Sequence, residues 1–175
     1  SSEPLKAVPL DAAIIIRLND FRSLVKNTQK ENKIWEELRK LSVFSRMDQQ
    51  IGFIDFLNSK YPVARELLLN NPSYISAHYT GRARVSFIHI YKLPKGLGGK
   101  KIDELISRLL INSGTITQRK YQGRDIYDIR LLNEDPVKNF SYTVTEGLFI
   151  LSFSSILIED AIRQLDLTKS IIHQA

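Results

Sequence analysis

The chain has 175 residues, 43% of them hydrophobic and 25% charged, with 8 Gly and 6 Pro; this is the balance of one folded domain with a core, not of a disordered or repetitive polymer. It has 0 Cys, which excludes disulfides, thiolate metal sites and a cysteine nucleophile, and no apolar run approaches the roughly 20 residues of a membrane-spanning helix. The formal charge is +6, and the whole excess lies between Arg82 and Arg130, where eleven basic residues stand against four acidic ones. Such a concentration attracts anions at long range.

The opening Ser1-Ser2-Glu3-Pro4 lacks an initiator Met, and Met47 is the sole methionine, so a longer or processed native chain is expected. Residues 12–18 are a short β-branched run between Asp11 and Asn19-Asp20, the pattern of a buried strand. Asn19 or Asp20 then caps a helix through about Asn27. Asn32 caps a second helix carrying Ile34, Trp35, Leu38 and Leu41. Ser45 starts a third, striped by Met47, Ile51, Ile54 and Leu57, and Pro62 opens a fourth that Asn70-Asn71-Pro72 stops.

From Ser73 the hydrophobic period becomes two. Three hairpins are predicted, each with a two-residue connection ending in Gly: Thr80-Gly81, Gln122-Gly123 and Glu146-Gly147. In the third, one face collects Phe140, Tyr142, Val144, Phe149, Leu151 and Phe153; the other is polar apart from Leu148 and Ile150. In the second, Ile116, Tyr127, Ile129 and Leu131 share a face, and Ile126 is a misfit on the polar side. The first is apolar on both faces, with Ile75, Ala77, Ile88 and Ile90 on one and Val85 and Phe87 on the other. The Gly/Lys connection Lys95–Lys101 leads into an amphipathic helix through Ile102, Leu105, Ile106, Leu109 and Leu110. Ser154 or Ser155 caps a last helix through about Leu165.

The expected architecture is a single α+β domain over 1–175, with a helical subregion over about 20–71 and a sheet-rich region over about 73–165. Its antiparallel sheet, built from hairpins, has helices against one face. A faint echo between Ile14–Leu24 and Phe149–Glu159 points to a unit that recurs in a longer parent chain.

Chemistry is sparse. His78 and His89 are predicted on the same face of the first hairpin, about 20 Å apart at ~3.3 Å per residue, too far to share a metal. No His-Glu-x-x-His helix, acid–base carboxylate pair or Gly-x-Ser-x-Gly elbow occurs. The run Gly96-Leu97-Gly98-Gly99-Lys100-Lys101 has neither the spacing nor the hydroxyl of a P-loop. One constellation remains. Arg119, Tyr121, Arg124 and Arg130 project from the polar side of the second hairpin, with Thr115 and Thr117 between them, as a candidate anion-binding face. Lys95, Lys100 and Lys101 add to it from the preceding connection. One tyrosine among arginines is not a stacking platform, so no specific nucleic-acid reader is expected.

Val8-Pro9-Leu10-Asp11-Ala12-Ala13, the strand behind it, the later Asn32, Trp35 and Leu38, and Leu151-Ser152-Phe153-Ser154 before Glu159-Asp160-Ala161-Ile162 carry a resemblance. Over about 35 residues the chain is similar to an uncharacterised bacterial family of anchored extracytoplasmic proteins of unknown function. The resemblance implies an anchor ahead of Ser1, exposure in the periplasm or at the cell surface, and no catalytic residues to transfer. The expected function is a non-catalytic extracytoplasmic interaction or structural domain without cofactor or metal, its partner an unknown protein. The alternative is a binding module for an anionic ligand or polymer, through the basic sheet face.

Overall fold

Two tight turns set the frame. Gln122 and Gly123 adopt φ of 47° and 77°, and Glu146 and Gly147 adopt 54° and 77°, the pair of positive values that matches a hairpin's natural twist. Both hairpins therefore take the register their sequence predicts. Tyr121 pairs with Arg124 and Lys120 with Asp125; Thr145 pairs with Leu148 and Tyr142 with Leu151. The computed structural model describes residues 3–18, 33, 36–37, 40–62, 64–65, 72–81, 84–111, 114–132 and 139–174.

Seven strands form one sheet: β1 (Ile14–Leu18), β2 (Ser73–Tyr79), β3 (Val85–Lys92), β4 (Gly114–Tyr121), β5 (Arg124–Leu131), β6 (Asn139–Thr145) and β7 (Leu148–Ser152). Their spatial order is β1-β2-β3-β7-β6-β5-β4, and every neighbouring pair is antiparallel. Three helices are described over their whole length, α1 (Ser42–Lys60), α2 (Gly99–Leu110) and α3 (Ser155–Gln174), together with a 3-10 turn over Pro4–Ala7. This is the α+β antiparallel architecture expected of the hairpins.

The helices do not share one face, which corrects the expectation that they would. On one side, α1 and α2 bring Met47, Ile51, Ile54, Ile102 and Ile106 onto Ile75, Phe87, Phe140, Tyr142, Phe149 and Leu151. On the other, α3 brings Leu157, Ile158, Ala161, Ile162 and Leu165 onto Ile88, Ile90, Ile126, Leu148 and Ile150. The apolar residues that break the hairpins' alternation, Ile126, Leu148 and Ile150, are 0% exposed because they form the floor of this second core. Each large aliphatic side chain buried there is worth about 1.5–3 kcal/mol, so α3 is an integral layer of the fold.

The first hairpin departs from its predicted register. Tyr79 pairs with Val85, and the Thr80 amide donates to the Arg84 carbonyl at 2.8 Å, so the connection is longer than Thr80-Gly81. The lengthening is three residues, an odd number, and it exchanges the faces of β3 relative to β2. Phe87 joins Ile75 and Ala77, while Ile88 and Ile90 lie on the α3 side. His78 and His89 consequently point to opposite faces, not to the same one.

β1 is an edge strand with Ile14 and Ile15 47% and 48% exposed, not the buried strand its β-branched run predicts. In α1 the stripe of Met47, Ile51 and Ile54 is buried as expected, although the helix starts at Ser42, ahead of Ser45. The helix expected over about 20–27, Trp35 with Ile34 and Leu38, and residues 66–71 of the helix expected from Pro62 lie outside the described residues. Gly114 opens β4; a Cβ there would stand 2.6 Å from the Arg130 carbonyl oxygen and from the Leu110 side chain.

Candidate functional site

Arg119, Tyr121 and Arg124 do share a face, as expected, and α3 lies over it. Arg119 donates from Nε to Asp128 at 2.8 Å and from Nη1 to Glu159 at 2.6 Å. Arg124 makes a two-pronged contact with Asp166 at 2.8 and 2.6 Å, and also reaches Glu146 at 2.9 Å and the Thr145 hydroxyl at 3.1 Å. The Tyr121 hydroxyl accepts from Arg163 at 2.6 Å, with that guanidinium 5.9 Å from the ring centre. The hydrogen bonds that Arg124 donates to Asp166 do most to raise its pKa. Burial opposes the charge of Arg119, but its bonds to Asp128 and Glu159 outweigh that and the pKa is raised. These guanidinia are locked in the charged state by carboxylates of their own chain.

The remaining candidates lie apart from this cluster. Arg130 is exposed at the far end of the same hairpin. Lys95 is exposed on the loop after β3, and Lys100 and Lys101 are exposed in the first turn of α2, the helix that covers the opposite face. Glu159 and Asp166 were not legible as partners. The signal that could have found them is their helical spacing around Arg163 set against the alternate positions 119 and 121 of a strand.

A second constellation is absent from sequence patterns altogether. His78 Nδ1 lies 2.9 Å from Asp11 Oδ1, and His78 Nε2 lies 2.7 Å from Ser76 Oγ. Carboxylate, imidazole and hydroxyl thus form the chain that activates a serine nucleophile in hydrolases. But His78 is 0% and Ser76 1% exposed, so no acyl group can reach the Oγ. Only Asp11, 66% exposed at its side chain, meets solvent. Asp11 precedes β1 and lies 67 residues from His78 in sequence, so the triplet emerges only once β1 pairs with β2.

His89, on the opposite face, is a neutral core residue. Burial drives its pKa down to about 3; Nε2 meets Gln50 Oε1 at 3.2 Å, and the ring lies edge-on to Phe153. Its Nδ1 and the Tyr91 hydroxyl are buried without a hydrogen-bond partner among the described residues. Burial likewise pushes the Tyr91 phenol up. Among the described residues no three His, Asp or Glu side chains gather to hold a metal, and no helix is long and apolar enough to cross a membrane.

The open polar surface lies where α3 begins. Beyond Ser155 the rows on the α3 side of the sheet change from isoleucine to polar: Thr117, Asp128, Ser141 and Ser152 in one, of which the two serines are buried, and Thr115, Arg130 and Asn139 in the next, all three exposed. A cavity of about 440 Å³ sits against Thr115, Thr117, Arg130 and Asn139. Another of about 600 Å³ sits against Asp11, Tyr79, Arg84 and Ser86. Phe153 and Ser155 line both, so the two form one shelf around the start of α3. No known protein family, curated protein or solved structure matches the chain.

Proposed function

We propose that this chain is a non-catalytic interaction domain that acts outside the cytoplasm as part of an anchored protein. The carrying observation is the burial of Ser76 and His78, 1% and 0% exposed, in the one hydrolase-like triplet among the described residues. Its physical effect is to tie the segment ending at Asp11 to β2, beside Ala7 and Val8 in the second core. The arginines of the basic sheet face serve a similar end, fixing α3 to β4 and β5. The compartment is supported by the resemblance of the Val8-Pro9-Leu10-Asp11-Ala12 opening to anchored extracytoplasmic proteins.

Exposure of the native protein to a fluorophosphonate, followed by peptide mass spectrometry, tests the non-catalytic reading. Ser76 is expected to stay unmodified while native and to be no more reactive than other serines after unfolding. Stoichiometric labelling of native Ser76, together with turnover of a small ester that Ser76→Ala abolishes, would overturn it.

A further inference from the structure

We propose that the shelf around the start of α3 binds a linear acidic polysaccharide, one carrying carboxylate or sulfate groups at intervals along a hydroxyl-rich chain. The inference rests on the reading of the chain as an interaction domain and names the ligand class. Three carboxylates stand along the shelf, and each is engaged: Asp11 with His78, Asp128 with Arg119, and Asp160 with Arg163. Two guanidinia, Arg84 and Arg130, line the two cavities, and among the described residues neither meets a carboxylate. Each cavity thus keeps one guanidinium that no described carboxylate meets.

The spacing selects an extended ligand. Arg84 immediately precedes β3 and Arg130 lies in β5, with β7 and β6 between them. Three interstrand steps of about 4.8 Å separate the two strands by roughly 15 Å. Besides the three carboxylates, the lining between the guanidinia includes hydroxyl and amide groups: Thr80 and Ser86 at one end, Thr117 and Asn139 at the other, Ser155 at the junction. Hydroxyls and amides both donate and accept, which suits a sugar's own hydroxyls. A nucleic acid fits less well. Duplex DNA carries one charge per about 1.7 Å of axis, which two separated guanidinia do not match.

The test is titration calorimetry on the 175-residue chain at low ionic strength. The probes are a heparin hexasaccharide, oligogalacturonate, neutral dextran and a single-stranded oligonucleotide of equal charge. Either acidic glycan is expected to bind, weakening as salt rises, while dextran does not. Arg84→Gln with Arg130→Gln should weaken glycan binding at least about tenfold. Lys100→Gln with Lys101→Gln, on the other side of the sheet, should leave it within about twofold. Amide chemical shifts in the wild type map the site without any variant and should move at Thr115–Thr117, Ser155 and Thr80. The proposal is overturned by absence of glycan binding, by binding that the lysine pair alone controls, by shifts confined to another surface, or by tighter binding of the oligonucleotide. None of these would alter the fluorophosphonate result, so failure here leaves the non-catalytic reading standing.

Discussion

Arg119 of β4 donates to Glu159 of α3 at 2.6 Å, and the next residue on that side of the strand, Tyr121, accepts from Arg163, four positions further along the helix. The two periods nearly coincide. Two strand residues advance about 6.6 Å and four helix residues about 6.0 Å, so a strand and the helix crossing it stay in step. Arg124 continues the series to Asp166. Apolar contact between α3 and the sheet is non-directional; these polar contacts define one register for it.

Acid should weaken the protein through His89. Its folded pKa is about 3, below the ordinary value of 6.5. The unfolded chain therefore takes up a proton as pH falls through 6.5 while the folded chain does not. Stability is fully present above that point and is lost down to about pH 3, at roughly 1.4 kcal/mol per unit. Urea denaturation should give a loss of about 3 kcal/mol between pH 7 and pH 4 from this group, and His89→Leu should flatten that limb. An unchanged pH dependence in His89→Leu would show that other groups govern it.

Gly114 is fixed by crowding. The Cβ of an alanine would sit 2.6 Å from a backbone oxygen of β5 and 2.6 Å from the Leu110 side chain, and the backbone contact cannot relax by a rotamer change. Gly114→Ala is expected to cost about 1–3 kcal/mol in unfolding free energy, separating β4 from β5 first. A thermal midpoint equal to wild type would contradict this close approach.

Gln122 is strained in the opposite sense, a non-glycine residue at φ 47°. Asparagine tolerates that region better and is favoured at this turn position. Gln122→Asn should stabilise by about 0.5 kcal/mol, read as a higher urea midpoint at unchanged slope. Destabilisation would mean the turn has another form.

Much of the sheet was legible because two of its turns are short. A two-residue connection with glycine second leaves one register open, and the aromatic row from Phe140 to Phe153 followed from Glu146-Gly147 alone. The first hairpin contains the same cue, Thr80-Gly81, inside a longer loop, and no local feature tells the two cases apart. The slip carried His78 and His89 to different faces. Ile126, Leu148 and Ile150 looked like faults in an otherwise wet face; they were the imprint of a second core whose helix lies later in the chain. The β-branched run at Ile14–Ile16 records strand propensity but not position, since an edge strand and an inner one share it.

The candidate site was half legible for the same reason. Placing Arg119, Tyr121 and Arg124 on one face needs only strand parity. Knowing that Glu159 and Asp166 meet them needs the path of α3. What stays open, Arg84 and Arg130, is a remainder defined by where α3 begins.

The central claim, that the basic sheet face holds α3 in place, is tested most directly by a double-mutant cycle on Arg124 and Asp166. Unfolding free energies of Arg124→Gln, Asp166→Asn and the double variant should give a coupling of about 1–2 kcal/mol, reflecting a two-pronged and half-shielded pair. Additive effects, with coupling near zero, would contradict the account.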